Sequence, residues 1–223
     1  MEIEAGRWRA RLTGMDGAGA ALALRAAVFR GGAPDDDAFD EKARHLVIEG
    51  AAGIAACARV SIQVGPAILA GYAAQFYDLK AFSSAFPTAL EVGRVCVAPG
   101  LMDPEVPRLL LAILARIVDR ERLAVLHGCS SFPQAAAPLE RLASRVAPAT
   151  WGPGVKSRAA IPLTGVEGTL PPLLRSYLSL GARVSDHAVL DHDMGTVHVH
   201  TALPVADIPE VRARLLTGIL AAV

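Results

Sequence analysis

The chain has 223 residues, 52% hydrophobic and 20% charged, with 22 basic and 22 acidic side chains. That length is enough to bury a sizeable core, and a net charge of zero argues against nucleic acid as the main partner, because phosphate binding needs a basic surplus. The longest apolar run, LLLAILARIV, is cut by Arg116 and is too short for a bilayer, and no charged-then-apolar leader opens the chain, so neither a membrane span nor a secretory signal is expected.

In chain order, RWRARLTG places Trp8, Ala10 and Leu12 on one face and predicts a first strand. DGAGAALALRAAVFRGG reads as a helix with Asp16 as its cap and Gly31 or Gly32 as its stop. The acidic loop APDDDAFDEKA follows, then RHLVIEG and GIAACARVSIQ, two strands around an Ala-Ala-Gly turn. Residues 63–87 carry no regular pattern. TALEVGRVCVAPG predicts a buried strand. DPEVPRLLLAILARIVDRE predicts a long helix, capped by Asp103, with Val106, Leu109, Leu110, Ile113, Leu114 and Ile117 on its buried face. LAVLHGCSSF is a further buried strand and PLERLASRV a short helix. WGPGVKSRAAIPLTGVEGTLPP is loop or flap, and PPLLRSYLSLGA is a helix ended by Gly181. ARVSDHAVLD and TVHVHTALPV complete the sheet, and DIPEVRARLLTGIL closes the chain. Strands and helices intermix with two hairpins, so one α/β domain over residues 1–223 is expected, with a mixed sheet.

Several charged groups interrupt this apolar background. Glu91 and Arg94 stand three apart in a strand that reads as buried, where an unpaired charge is costly. In a regular strand they would face opposite sides; a bulge at Gly93 would bring both to one cleft. The alternative is an ion pair at a surface strand end. The loop places Asp35, Asp36, Asp37, Asp40 and Glu41 within seven residues, either as a solvated loop or as a lip that takes a substrate cation. Arg25 and Phe29 share a helix face, and Arg59 breaks the run IAACARVSI. Cys57, Cys96 and Cys129 read as reduced core residues, the pattern of a cytosolic protein. His198 and His200 would share a strand face, but a metal site needs three or four converging ligands and the spacing supplies none, so no metal is expected. No phosphate loop, GxSxG elbow or dinucleotide fingerprint is present.

Arg25-x-x-x-Phe29, Asp37-x-x-Asp40, Arg59 and Glu91-x-x-Arg94 resemble, in order and spacing, the polar signature of the acyl-homoserine-lactone (autoinducer) synthases. These are relatives of the GNAT N-acyltransferases. LEVGRVCVAPG, HGCSSFP, PPLLRSYLSLGA and AVLDHDMGTVHV resemble a sister family, the bacterial L-ornithine Nα-acyltransferases of ornithine-lipid synthesis. The resemblance covers residues 24–206. It implies a GNAT-like α/β fold, with a central mixed, mostly antiparallel twisted sheet flanked by helices.

The activity it implies is transfer of a (3-hydroxy)acyl group from acyl carrier protein to the α-amine of L-ornithine, giving lyso-ornithine lipid. The phosphopantetheine thioester would be a co-substrate, with no other cofactor. An autoinducer synthase, or an enzyme acylating glutamine or lysine, is the enzymatic alternative; a lipid- or carrier-protein-binding module is the non-enzymatic one. The tryptophan that autoinducer synthases carry after Arg-x-x-x-Phe is replaced by RGGAPDD, which counts against S-adenosylmethionine. The CoA pyrophosphate loop is replaced by LMDPEVPRLL, which favours carrier protein over CoA.

Under this resemblance Glu91 is the general base, acting directly or through water. Backbone amides freed at the bulge polarise the thioester. Arg59 and Arg94 hold the substrate carboxylate, Asp37 and Asp40 take the side-chain ammonium, and Arg25, Phe29, Ser130 and Asp191 complete the substrate site. A cytoplasmic location is implied, with peripheral contact at the inner membrane through the lipid product.

Overall fold

The computed structural model describes residues 1–165 and 168–212. The chain forms β1 (Glu2–Ala5), β2 (Trp8–Thr13), α1 (Gly19–Phe29), β3 (Arg44–Gly50) and β4 (Gly53–Val64). Next come β5 (Tyr77–Asp78), α2 (Lys80–Ala85), β6 (Thr88–Val97), α3 (Glu105–Glu121) and β7 (Val125–Pro133). β8 (Gly154–Val155), β9 (Ala160–Pro162), α4 (Pro172–Ser179), β10 (Arg183–Val184), β11 (His187–Asp191) and β12 (Thr196–Pro204) complete the order. The described residues group into two compact units, one of Met1–Ile62, Val92–Glu121 and residues 210–212, the other of Gln63–Glu91 and Arg122–Pro209.

In the first unit β1, β2, β3 and β4 form an antiparallel meander, and the second half of β6 lies beside β4. β1 is a strand the sequence did not announce; Gly6, at φ 59°, closes its hairpin onto β2. Trp8 and Ala10 are buried and Leu12 half-buried, as their alternation requires. α1 packs Ala21 and Leu24 against Val47, Cys57 and Cys96 of the sheet, with Phe29 at the margin. Its stop is the expected one: the amide of Gly32, at φ 102°, donates to the Ala26 carbonyl at 2.9 Å. Its start is not. Asp16 lies in a 3-10 turn over Met15–Gly17, and the helix begins after Ala18 with no side-chain cap. α3 buries the expected face, and Asp103 Oδ1 accepts from the Glu105 amide at 2.8 Å.

In the second unit the first half of β6 runs parallel to β7, with Glu91 opposite His127. β7, β12, β11 and β9 continue antiparallel, and β10 pairs with β12. Ile68, Tyr77, Leu79, Phe82, Val125 and Val189 are fully or almost fully buried in its core. The segment expected to be loop or flap contributes two short strands: β8 pairs with β5, and β9 forms the sheet edge. PLERLASRV is a 3-10 turn over Glu140–Arg145 and not an α-helix; only Leu142 of those six residues is buried, too narrow a contact to support more helix. α4 ends before Gly181 at φ 110°, as expected. DIPEVRARLLTGIL extends, from residue 213, outside the described residues. No helix among the described residues is long and apolar enough to cross a membrane.

Candidate functional site

The sequence-predicted residues fall into two sets, one in each unit. The first is an ion-pair cluster. Arg25 lies on the buried side of α1, so its charge must be met locally. Its Nε donates to Asp35 at 2.9 Å, and its two terminal nitrogens grip both oxygens of Asp40 at 2.6 and 2.9 Å. The Asp35 carbonyl accepts a further bond. The loop presents these groups because it is folded on its own side chains. Asp40 Oδ2 accepts from the Asp37 amide at 2.8 Å, and Asp37 Oδ1 from the Phe39 amide at 2.9 Å.

From β4, Arg59 reaches Asp37 at 2.5 Å and Asp40 at 3.3 Å, with its guanidinium over the Phe39 ring. From β6, Arg94 reaches Asp35 at 3.0 Å and Asp37 at 3.4 Å, and Arg30 also holds Asp35. Burial alone would push the Asp40 carboxyl up; the Arg25 hydrogen bonds, then the Asp37 amide and Arg59, overcome it and hold the group down to about 2.

This geometry sorts the acidic residues. Asp35 and Asp40 side chains are 0% exposed, while Asp37 keeps 27%. Arg25 and Asp40 are thus sealed inside the cluster, with their charges met by each other. Asp37 and Arg30, at 27% and 23%, are its most exposed members, and Arg94 keeps 10%.

The strand irregularity expected at Gly93 falls one residue later. Arg94 has φ 50°, left-handed and unusual for a residue with a Cβ, whereas Gly93 has no such angle.

The second set is built around Glu91, which is 7% exposed. Oε2 accepts from Gln63 Nε2 at 2.8 Å and from the Tyr72 amide at 3.0 Å; Oε1 accepts from the Ala73 amide at 2.7 Å. Each carboxylate oxygen can take two donors, so Oε1 retains a lone pair. The backbone passes this close because residue 71 is glycine: a Cβ there would lie 2.2 Å from Gln63 Nε2 and 2.7 Å from Glu91 Oε2. Gln63 Oε1 lies 2.9 Å from His127 Nε2, and His127 Nδ1 lies 3.1 Å from His200 Nε2.

His127, His198 and His200 are each 4% exposed or less. Burial lowers His127 and His198 to about 4, against smaller opposing pulls from Glu91 and Asp191, and drives His200 well below its ordinary value with help from the neighbouring rings. No group of three metal-ligating side chains occurs among the described residues.

Ser130 Oγ is 2.8 Å from Thr201 Oγ1 across β7 and β12, and Asp191 Oδ1 accepts from the Met194 amide at 3.0 Å in the β11–β12 turn. Sequence reasoning missed Gln63, Gly71 and His127. The signal available was the one that exposed Glu91, a polar residue inside an apolar strand.

Residues 25–112 match the acetyltransferase (GNAT) domain family. Among solved structures, FeeM, an N-acyl amino acid synthase from uncultured soil microbes, superposes with a TM-score of 0.56 at 12% identity, covering 88% of this chain and 95% of that one. The AHL synthase LasI gives 0.51 at 12% identity, covering 94% of each. The chain has a GNAT-like fold. A curated L-ornithine N(alpha)-acyltransferase from Brucella abortus is 28% identical over 152 residues, 60% of this chain and 54% of that protein. A second, from Agrobacterium fabrum, is 28% identical over 155 residues, 61% of this chain and 53% of that protein. The chain therefore spans about half the length of the curated relatives it matches. The mixed, mostly antiparallel GNAT-like sheet expected from the sequence is the one observed.

Proposed function

We propose that the protein is an N-acyltransferase that moves an acyl group from an acyl carrier protein thioester to the α-amine of L-ornithine, giving lyso-ornithine lipid. The observation that carries the reading is the Glu91 carboxylate: buried, fixed by three donors, and left with a lone pair on Oε1. An α-amine is mostly protonated near neutral pH and attacks only after losing its proton. Oε1 takes that proton while Oε2 keeps both its donors, so the carboxyl need not turn. The amine then adds to the thioester carbonyl, and the tetrahedral adduct collapses with cleavage of the C–S bond; the proton the nitrogen gives up passes to the thiolate, which leaves as the carrier's thiol. In the first unit's cluster, Arg59 and Arg94 have the chemistry to hold a carboxylate, and of Asp35, Asp37 and Asp40 it is Asp37 that keeps exposure to meet an ammonium. The choice of ornithine is supported by the names of the curated relatives.

One observation favours a second acceptor class. Asp40 is committed to Arg25, and Asp37 to Arg59 and Arg94, so an amino acid with an uncharged side chain fits the cluster without displacing an ion pair. The test offers acyl carrier protein thioesters with ornithine, lysine, glutamine or S-adenosylmethionine, reads products by mass, and repeats the active pair with Glu91→Gln. Loss of about 10²–10⁴ in kcat is expected, the usual worth of a general base. Near wild-type turnover in a folded Glu91→Gln variant overturns the assignment.

A further inference from the structure

We infer that Gln63 and His127 are positioning residues for Glu91, joined with His200 in a hydrogen-bond chain whose direction the carboxylate sets. The inference rests on Glu91 being the proton acceptor, and goes beyond it by assigning work to side chains of β4 and β7.

The chain is read from the one end whose chemistry is fixed. An ionised carboxylate only accepts, so the Gln63 group 2.8 Å from Glu91 Oε2 is the NH2. The other end of the same amide is then the carbonyl, and it faces His127 Nε2 at 2.9 Å, so Nε2 carries the proton. His127 Nδ1 is left bare and accepts from His200 Nε2–H at 3.1 Å. Every bond points the same way, from His200 to His127 to Gln63 to Glu91. One tautomer satisfies the chain, and both rings are uncharged, as their burial also requires.

Three features hold the chain in place. Phe82 packs against both imidazoles, at 4.9 and 5.1 Å between ring centres. The missing Cβ of Gly71 leaves the space that Gln63 Nε2 and Glu91 Oε2 occupy. The register of β6 on β7 sets Glu91 directly opposite His127. Without the amide, Oε2 loses one of its two donors and the carboxylate can rotate about its last torsion, carrying Oε1 away from the reacting amine. A misplacement of this kind costs turnover while leaving substrate affinity nearly intact.

The experiment uses Gln63→Met, His127→Phe and the double variant, each in wild-type and Glu91→Gln backgrounds, with acyl carrier protein thioester and ornithine as substrates. Expected is a fall in kcat of about 10- to 100-fold with KM within about threefold, and a double variant no worse than the poorer single one, because all act through one chain. In the Glu91→Gln background the same substitutions should change nothing further. His127→Gln, which returns an N–H near the position of Nε2, should restore most of the loss.

Independently of any substrate, nitrogen-15 shifts of labelled histidine at pH 7.5 should show His127 protonated at Nε2 and bare at Nδ1. If Glu91→Gln is inactive but Gln63→Met and His127→Phe are near wild type, the positioning role fails and the base survives. If Glu91→Gln is itself active, both fail. Losses that persist in the Glu91→Gln background, or an Nδ1–H or doubly protonated His127, overturn the chain. Should His127→Phe not fold, Gln63→Met and the histidine shifts decide between the same outcomes.

Discussion

Gly71 has an ordinary extended backbone, φ −75° and ψ 174°, so alanine can adopt its conformation without strain. The obstacle is the side-chain termini of Gln63 and Glu91, which an alanine methyl would push aside. Flexible ends yield cheaply, so Gly71→Ala should cost only about 1–3 kcal/mol of stability while lowering kcat at least tenfold, measured by denaturant unfolding and initial rates. Gly93, the other glycine beside Glu91 in sequence, has nothing within 4 Å of where an alanine methyl would sit, so Gly93→Ala should leave stability nearly unchanged. In the other unit the single side chain with most at stake is Asp40. Asp40→Asn leaves the Arg25 guanidinium, 1% exposed, without the carboxylate it grips with both terminal nitrogens. Breaking a buried pair from one side costs about 3–5 kcal/mol, whereas a substitution in a solvated loop stays within about half a kcal/mol. Urea unfolding of the variant separates the two.

The strands β7 and β12 line one region of the second unit with imidazoles that burial keeps neutral when folded, which ties these elements to pH. The unfolded chain takes up protons at His127 and His198 below their ordinary value near 6.5, but the folded chain only near 4. Stability is therefore fully present above about pH 6.5 and is lost as pH falls toward 4, each ring contributing on the order of 3 kcal/mol. Asp40 adds a lower window: its benefit is present above the ordinary carboxyl value and disappears as pH falls toward 2. The Tm should be flat from pH 8 to 7 and drop steeply between 6.5 and 4; a flat profile through that range would contradict the neutral-histidine arrangement. At this scale the sequence was most legible where period alone decides. The apolar stripe of α3 and the paired strands β3 and β4 lie where their spacing put them. The partners in the ion-pair cluster were not legible, since Arg25, Arg59 and Arg94 come from three elements and only the fold brings them to one loop. Glu91 was visible because a carboxylate interrupts a β-branched run. His127 interrupts its own strand in the same way, but which polar interruptions meet depends on the register of β6 on β7.

At the scale of the whole molecule, charge bears on the acyl donor. With 22 basic and 22 acidic residues there is no net field to draw in an acidic partner, so any attraction must come from a local patch. The start of α3 is ill-suited to a CoA pyrophosphate: Asp103 already accepts from the Glu105 amide, Glu105 adds a second carboxylate, and Pro104 and Pro107 have no N–H to offer. Further along the helix, Arg108, Arg116 and Arg120 are exposed, with Arg120 paired to Glu121. This is the face on which the proposed carrier protein, acidic and bearing its acyl chain on phosphopantetheine, should dock. Arg116→Glu combined with Arg120→Glu should raise the apparent KM for acylated carrier protein about tenfold and leave kcat unchanged, since rim charges act mainly on encounter. Raising ionic strength from about 0.05 to 0.3 M should weaken the wild-type reaction and have little further effect on the variant, because the Debye length shortens below the reach of such contacts. The same acyl group on CoA should react poorly and be insensitive to both changes. Equal efficiency with CoA, or a salt response that survives the double substitution, would place the donor's recognition somewhere other than α3.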